Sequence, residues 1–175
     1  MKWRFAGKFL LIFAVLLVGW WLIDFATLYR SAVLTAAQVV SPIVNGWWLD
    51  WDRPGTVGDI TFRLGDRRLA MLLQLPALSM GMVPLLSLIL ATPGQSPAQA
   101  VRRALLGAVL YFLVDVAVVA AYPLIMDRPN VIKDTFGVFT GLIAFVVAPL
   151  GLWFVLTYSA LRSLWQLGTE RQGQR

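Results

Sequence analysis

The chain has no cysteine and no histidine. Their absence removes disulfides, thiol nucleophiles, imidazole bases and the best side-chain ligands for transition metals. No cofactor or metal centre is expected, and most familiar catalytic constellations lack a member. Charge is scarce too: 14% of the 175 residues are charged and 59% are hydrophobic, where a soluble domain has ~25% and ~45–50%. That balance points to a membrane protein, with the lipid bilayer as its first partner. The net charge of +6 does not imply nucleic acid, because lysine and arginine are scattered beside apolar runs and form no polybasic block. The loop ATPGQSPAQA has no phosphate-binding glycine pattern, and the chain has no internal repeat.

What is present is a series of apolar runs. About 20 apolar residues cross a ~30 Å hydrocarbon layer as a helix. Four runs meet or approach that length: residues 8–29, 69–91, 104–126 and 136–161. The expected fold class is an all-α integral membrane protein, one membrane domain over residues 1–175 with about four transmembrane helices. The basic start MKWRFAGK followed by FLLIFAVLLVGWWLI has the order of a signal peptide. Trp20, Trp21, Asp24 and Phe25 offer no small-x-small cleavage site, so the run reads as an uncleaved anchor. Pro76 and Pro84 each remove a backbone donor from the second run, which is expected to kink or partly unwind; Pro149 lies inside the fourth.

Basic residues near the span ends set orientation. Lys2, Arg4 and Lys8 precede the first span, Arg102 and Arg103 lie between the second and third, and Arg162, Arg171 and Arg175 follow the fourth. This end is expected to be cytoplasmic, with both termini there, in a multi-pass protein of the bacterial inner membrane. The tail SLWQLGTERQGQR is polar and expected to fray.

An extracytoplasmic segment, about residues 30–68, separates the first two spans. Val33, Leu34, Ala37, Val40 and Val44 recur near helical spacing and are interrupted at Ser41-Pro42, which reads as an interfacial helix or a continuation of the first span. Trp47, Trp48 and Trp51 follow; tryptophans belong at the headgroup level, and an aromatic cage for a cationic ligand is the alternative. The stretch GDITFRLGDRRLAMLLQL alternates as a β-hairpin does, with Gly65-Asp66 suited to a two-residue primed turn. In that register Phe62 faces Leu69, Ile60 faces Met71 and Arg63 faces Arg68. The like-charge pair calls for a carboxylate or lipid phosphate between the arginines, or for another register. The competing reading starts a helix at Arg67 and runs it into the second span.

A hairpin leading into a proline-bent span that carries PALSMG resembles the exosortase and archaeosortase superfamily, integral-membrane transpeptidases of C-terminal sorting signals. The likeness covers residues 56–158. In that family a short β-like segment precedes a cysteine motif, an arginine ends a later span, and a histidine-aspartate motif opens another. Here Ala77-Leu78-Ser79 stands where the cysteine motif falls, Val118 where the arginine falls, and Lys133-Asp134-Thr135-Phe136-Gly137 where the histidine-aspartate stretch falls. Leu78 cannot attack a carbonyl and Val118 cannot stabilise an oxyanion. The resemblance therefore implies a degenerate member without catalytic residues, similar to the exosortase H-associated membrane proteins. Its implied role is that of an accessory or scaffold in an envelope protein-sorting system, with a membrane protease of that kind or its sorted substrate as partner.

Two other readings stand beside this one. Ser79 with Lys133 has the residue types of a serine–lysine hydrolase, although serine in membrane helices commonly packs or bonds backbone. Asp115, near the centre of the third span, costs several kcal/mol there unless protonated or partnered, so it marks either a small transporter or lipid-binding protein or a hydrogen-bonded packing acid. Ser79, Thr140, Tyr111 or another subunit are its candidate partners. Arg63, Arg67, Arg68 and Asp134 complete the candidate binding residues. Gly81, Gly107, Gly137 and Gly141 offer small surfaces for helix packing.

Overall fold

A computed structural model describes residues 2–51, 60–70, 81–126 and 146–172. The described chain is mostly helical with one small sheet: α1 (Lys2–Leu22), α2 (Phe25–Asn45), β1 (Trp48–Asp50), β2 (Thr61–Leu64), β3 (Arg67–Ala70), α3 (Met82–Ala91), α4 (Pro97–Met126) and α5 (Ala148–Gln172). Among the described residues, two segments are long and apolar enough to cross a membrane, Phe5–Leu22 in α1 and Pro97–Leu124 in α4.

The first expected span is shorter than 8–29. Helix α1 stops at Leu22, because Asp24 adopts a left-handed backbone (φ 49°), a conformation that asparagine and aspartate tolerate better than most residues. The Asp24 carboxylate then accepts from the Thr27 hydroxyl at 2.9 Å and restarts the chain as α2. Ser41-Pro42 does not interrupt α2, which runs on to Asn45 and ends where Gly46 (φ 77°) donates to the Pro42 carbonyl. A proline this near the end of a helix costs only one of the ladder bonds.

Helix α2 buries Tyr29, Val33, Leu34, Ala37 and Ser41 as one face and lays it on α4. Tyr29 meets Asp115 and Asn45 meets Ala120. A stretch of α2 about 24 Å long thus covers only about 8 Å of α4, so the two helices cross obliquely.

Helices α3, α4 and α5 pack against each other, with α1 along α3. Gly107 sits where α4 meets both neighbours: a methyl there would stand 2.8 Å from Ile89 Cδ1 and 3.3 Å from Leu156 Cδ1. At Gly81 a methyl would overlap the Tyr111 hydroxyl and lie 3.1 Å from Pro149 Cγ. The small surfaces expected at these two glycines are present; Gly137 and Gly141 lie outside the described residues. Pro84 falls in the first turn of its helix, where no amide hydrogen is missed, and Pro149 follows a π-helical stretch at residues 146–147.

The hairpin forms in the expected register, Phe62 opposite Leu69 and Arg63 opposite Arg68. Gly65 has φ 57° and Asp66 does not share it, the signature of a type II′ turn. Arg67 therefore belongs to a strand, and the competing helix start at that residue is wrong. The second span cannot begin at Leu69 either, since β3 continues to Ala70 and helix is described only from Met82. The expected Met71 partner of Ile60 lies in 71–80, outside the described residues, as do 136–145 of the fourth span. Helix α5 stays helical past Leu161 to Gln172, where fraying was expected from Ser163.

A third strand was not anticipated. β1 pairs with β2 as an antiparallel neighbour, Leu49 opposite Phe62, in the order β1-β2-β3. Leu49, Ile60 and Phe62 are buried and tie the sheet to the helices, with Phe62 stacked on Tyr122 near the end of α4 (centroids 5.9 Å). Large apolar side chains face outward on four helices: Leu11 and Val18 on α1, Ile43 on α2, Leu105 and Leu113 on α4, Val155 on α5. The buried polar residues, Ser41, Ser87, Thr92, Asp115 and Thr157, lie inside.

Candidate functional site

Most of the interior polar groups satisfy themselves locally. Ser87 and Thr157 donate to the carbonyls four residues back, at 2.7 and 2.6 Å, and Thr92 does the same at 2.7 Å. Asp115 is different. It is fully buried, and its Oδ2 accepts from the Tyr29 hydroxyl at 2.7 Å, across 86 residues of chain and between two helices. Its Oδ1 has no hydrogen-bond partner among the described residues.

The positions follow from helical spacing. Ala104, Gly107, Tyr111, Asp115, Val119 and Tyr122 recur at three and four residues and form the buried face of α4. Tyr29 opens the matching face of α2. Tyr29 is not among the partners the sequence offers for the acid, Ser79, Thr140, Tyr111 or another subunit, because the first apolar run places it at the outer end of that span. The break at Asp24 brings Tyr29 to the depth of Asp115. Tyr111 lies one turn before Asp115 and packs on Gly81. Beside the pair, Trp20, Phe25, Met82 and Phe112 line an apolar groove of about 270 Å³; Tyr29 meets Phe112 edge-on with centroids 6.0 Å apart.

The sheet forms a second polar centre. Arg63 and Arg68 do stand opposite each other; Asp50 on β1 pairs with Arg63 at 2.5 Å from the side of β2 away from β3, and so does not lie between the two arginines. The tryptophans separate. Trp47 is buried in the core, Trp48 is 65% exposed and Trp51 is half-buried. Adjacent positions near a strand point to opposite faces, which does not build the three-walled cage weighed above. Trp47, Arg67, Arg68 and Leu69 instead line an open pocket of about 450 Å³. Ser79, Lys133 and Asp134 lie outside the described residues, as does Leu78.

Two further polar junctions escaped the sequence reading. The Asn45 side chain accepts from the Trp47 amide (2.9 Å) and from Ser41 (3.2 Å), and donates to the Ala120 carbonyl (2.5 Å). Pro123, inside α4, has no N–H to donate to the Val119 carbonyl, which neighbours that of Ala120. At the other end, Arg103 donates to Gln95 Oε1 (2.9 Å) and Ser159 Oγ (2.8 Å), while Trp153 Nε1 donates to Thr92 Oγ1 (2.9 Å). The short loop after α3 is thus latched to α4 and α5.

No protein-family model matches the chain, and neither a curated protein nor a solved structure matches it.

Proposed function

We propose that this protein is a membrane-embedded accessory protein that presents its three-stranded sheet to a partner at the outer membrane face. The observation that carries this reading is the polarity of the fold. Among the described residues, large apolar side chains face outward on α1, α2, α4 and α5, Asp115 is buried with four hydroxyl side chains, and the sheet packs where Phe62 meets Tyr122 near the end of α4. Such an arrangement suits a hydrocarbon surround. On this reading the chain crosses the inner membrane about four times, α2 lies obliquely near the outer interface, and the basic end with Lys8, Arg102, Arg103 and Arg162 is cytoplasmic.

The kind of partner comes from the motif order alone. The exosortase-like layout, with Leu78, Val118 and Lys133 at the reactive positions, supports a non-catalytic role beside a sorting protease or its substrate. A photo-crosslinker at Asp66, in the hairpin turn, is expected to capture that protease or a sorted substrate in native membranes, and one at Val155 is not. Recovery of this chain alone from both positions would sink the accessory role. Because the chain has no cysteine, topology has its own test. An impermeant maleimide is expected to label Asp66→Cys in intact spheroplasts, and Ala98→Cys only after lysis.

A second reading, a small transporter or lipid-binding protein, is favoured by the buried Asp115 carboxyl beside the apolar groove. Proton-coupled flux in liposomes that disappears in Asp115→Asn would favour it. The bond to Tyr29 already gives the acid a packing role without transport.

A further inference from the structure

The register of the sheet leaves one place unfilled. Trp48 pairs with Arg63 and Arg63 with Arg68, so the three form a single row across β1, β2 and β3. Directly paired positions share a face of a sheet. Leu49 and Phe62, neighbours of Trp48 and Arg63 along their strands, are buried, which puts the row on the opposite face, turned away from the helices. All three of its residues are exposed, Trp48 by 65%. Asp50, on the same face, reaches Arg63 from the β1 side. Arg68 has no ion pair or hydrogen bond among the described residues. Asp66 lies in the turn, beyond the row, and makes no ion pair among them either. Like charges directly opposite destabilise a sheet, and no described group stands between these two arginines to offset that.

We propose that this face docks an extended segment of a partner protein, with a carboxylate held between Arg63 and Arg68 and an apolar side chain two residues away laid on Trp48. The spacing comes from the sheet itself. Strands lie ~4.8 Å apart, so the midpoint between Arg63 and Arg68 is ~7 Å from Trp48, and alternate residues of an extended chain stand ~7 Å apart on one face. A carboxylate matches the planar guanidinium fork, and an exposed tryptophan gives its neighbour a large apolar surface. The row favours a protein segment over a lipid phosphate, because it faces away from the helices and offers acyl chains no wall beyond one tryptophan. The inference rests on the accessory reading above and names the chemistry of its contact.

The test passes the full chain, in nanodiscs of phosphatidylcholine, over immobilised peptides that share a Gly-Ser background. A peptide carrying Glu-Thr-Leu is expected to retain about fivefold more protein than one carrying Gln-Thr-Leu or Glu-Leu-Thr. Arg68→Gln relieves the like-charge pair on an exposed face, so it is expected to fold and to bring the three peptides to equal retention. Trp48→Ser is expected to equalise Glu-Thr-Leu and Glu-Leu-Thr alone. Equal retention of all three by wild type, or a preference that survives Arg68→Gln, overturns the proposal. Release of the peptide when phosphatidylglycerol is added to the nanodiscs assigns the row to a lipid phosphate and also overturns it. Partner capture from Asp66 without any peptide preference overturns the row and leaves the accessory role standing. A preference without capture supports the row and sinks the accessory role.

Discussion

Replacing Tyr29 by phenylalanine removes one oxygen from the interior and leaves the ring where it packs, between Trp20 and Phe112. The hydroxyl bonds Asp115 Oδ2 at 2.7 Å, and the other carboxyl oxygen has no partner among the described residues. The substitution therefore strips the acid of a bond that nothing described nearby replaces. A stranded buried acceptor costs ~1–3 kcal/mol, whereas hydrogen bonds between membrane helices average ~0.6 and reach ~1.7 kcal/mol. Since the carboxyl is fully buried, the upper part of the membrane range applies, about 1.5 kcal/mol. The assay is reversible unfolding in mixed micelles, read by fluorescence of the eight tryptophans. A double-mutant cycle with Asp115→Leu separates the bond from the rest. Asp115→Leu removes the polar group altogether, so adding Tyr29→Phe to it is expected to cost at least ~1 kcal/mol less than in wild type. Tyr29→Phe within ~0.3 kcal/mol of wild type, or costs that simply add, would refute the claim that this bond fixes α2 on α4.

Other substitutions probe the helix contacts. Gly81→Ala pushes a methyl into the Tyr111 hydroxyl and against Pro149, rigid groups, and is expected to lower stability by ~1–3 kcal/mol. Gly107→Ala meets only the movable tips of Ile89 and Leu156 and is expected to cost less in the same unfolding assay. Asn45→Ala removes the side chain that holds the Trp47 amide and clamps α2 to Ala120, with an expected loss of ~1–2 kcal/mol. Hydrogen exchange is expected to speed up at the Trp47 amide; unchanged protection there would argue against that bond.

The hairpin was legible because its signals are local. Alternation from Ile60 to Leu64, a Gly-Asp turn and resumed alternation specify pairing between neighbours a few residues apart, and the register followed. β1 was not legible for the opposite reason: three residues, two of them acceptable as a tryptophan belt and an exposed acid, become a strand only when β2 lies beside them. Asp50 illustrates the consequence, since the carboxylate that pairs with Arg63 comes from a strand that local pattern does not reveal.

The candidate site divides in the same way. That Asp115 would need a partner followed from its apolar neighbours, because desolvating a carboxyl is costly wherever the chain puts it. Its identity did not follow, because Tyr29 reaches it only through a left-handed residue at Asp24 that turns one apolar run into two helices. A continuous helix and a broken one have nearly the same hydropathy.

The sequence by itself determined the composition of the fold: long apolar helices, a short outward hairpin, no thiol or imidazole chemistry, and a buried acid in search of a donor. Those properties depend on residue type and spacing along one stretch of chain. The tertiary structure decided which helix supplies the donor, which strand supplies the counter-charge to Arg63, and which of the three tryptophans between 47 and 51 is buried. These depend on groups far apart in sequence that meet only after the helices cross, and local periodicity carries no information about that crossing.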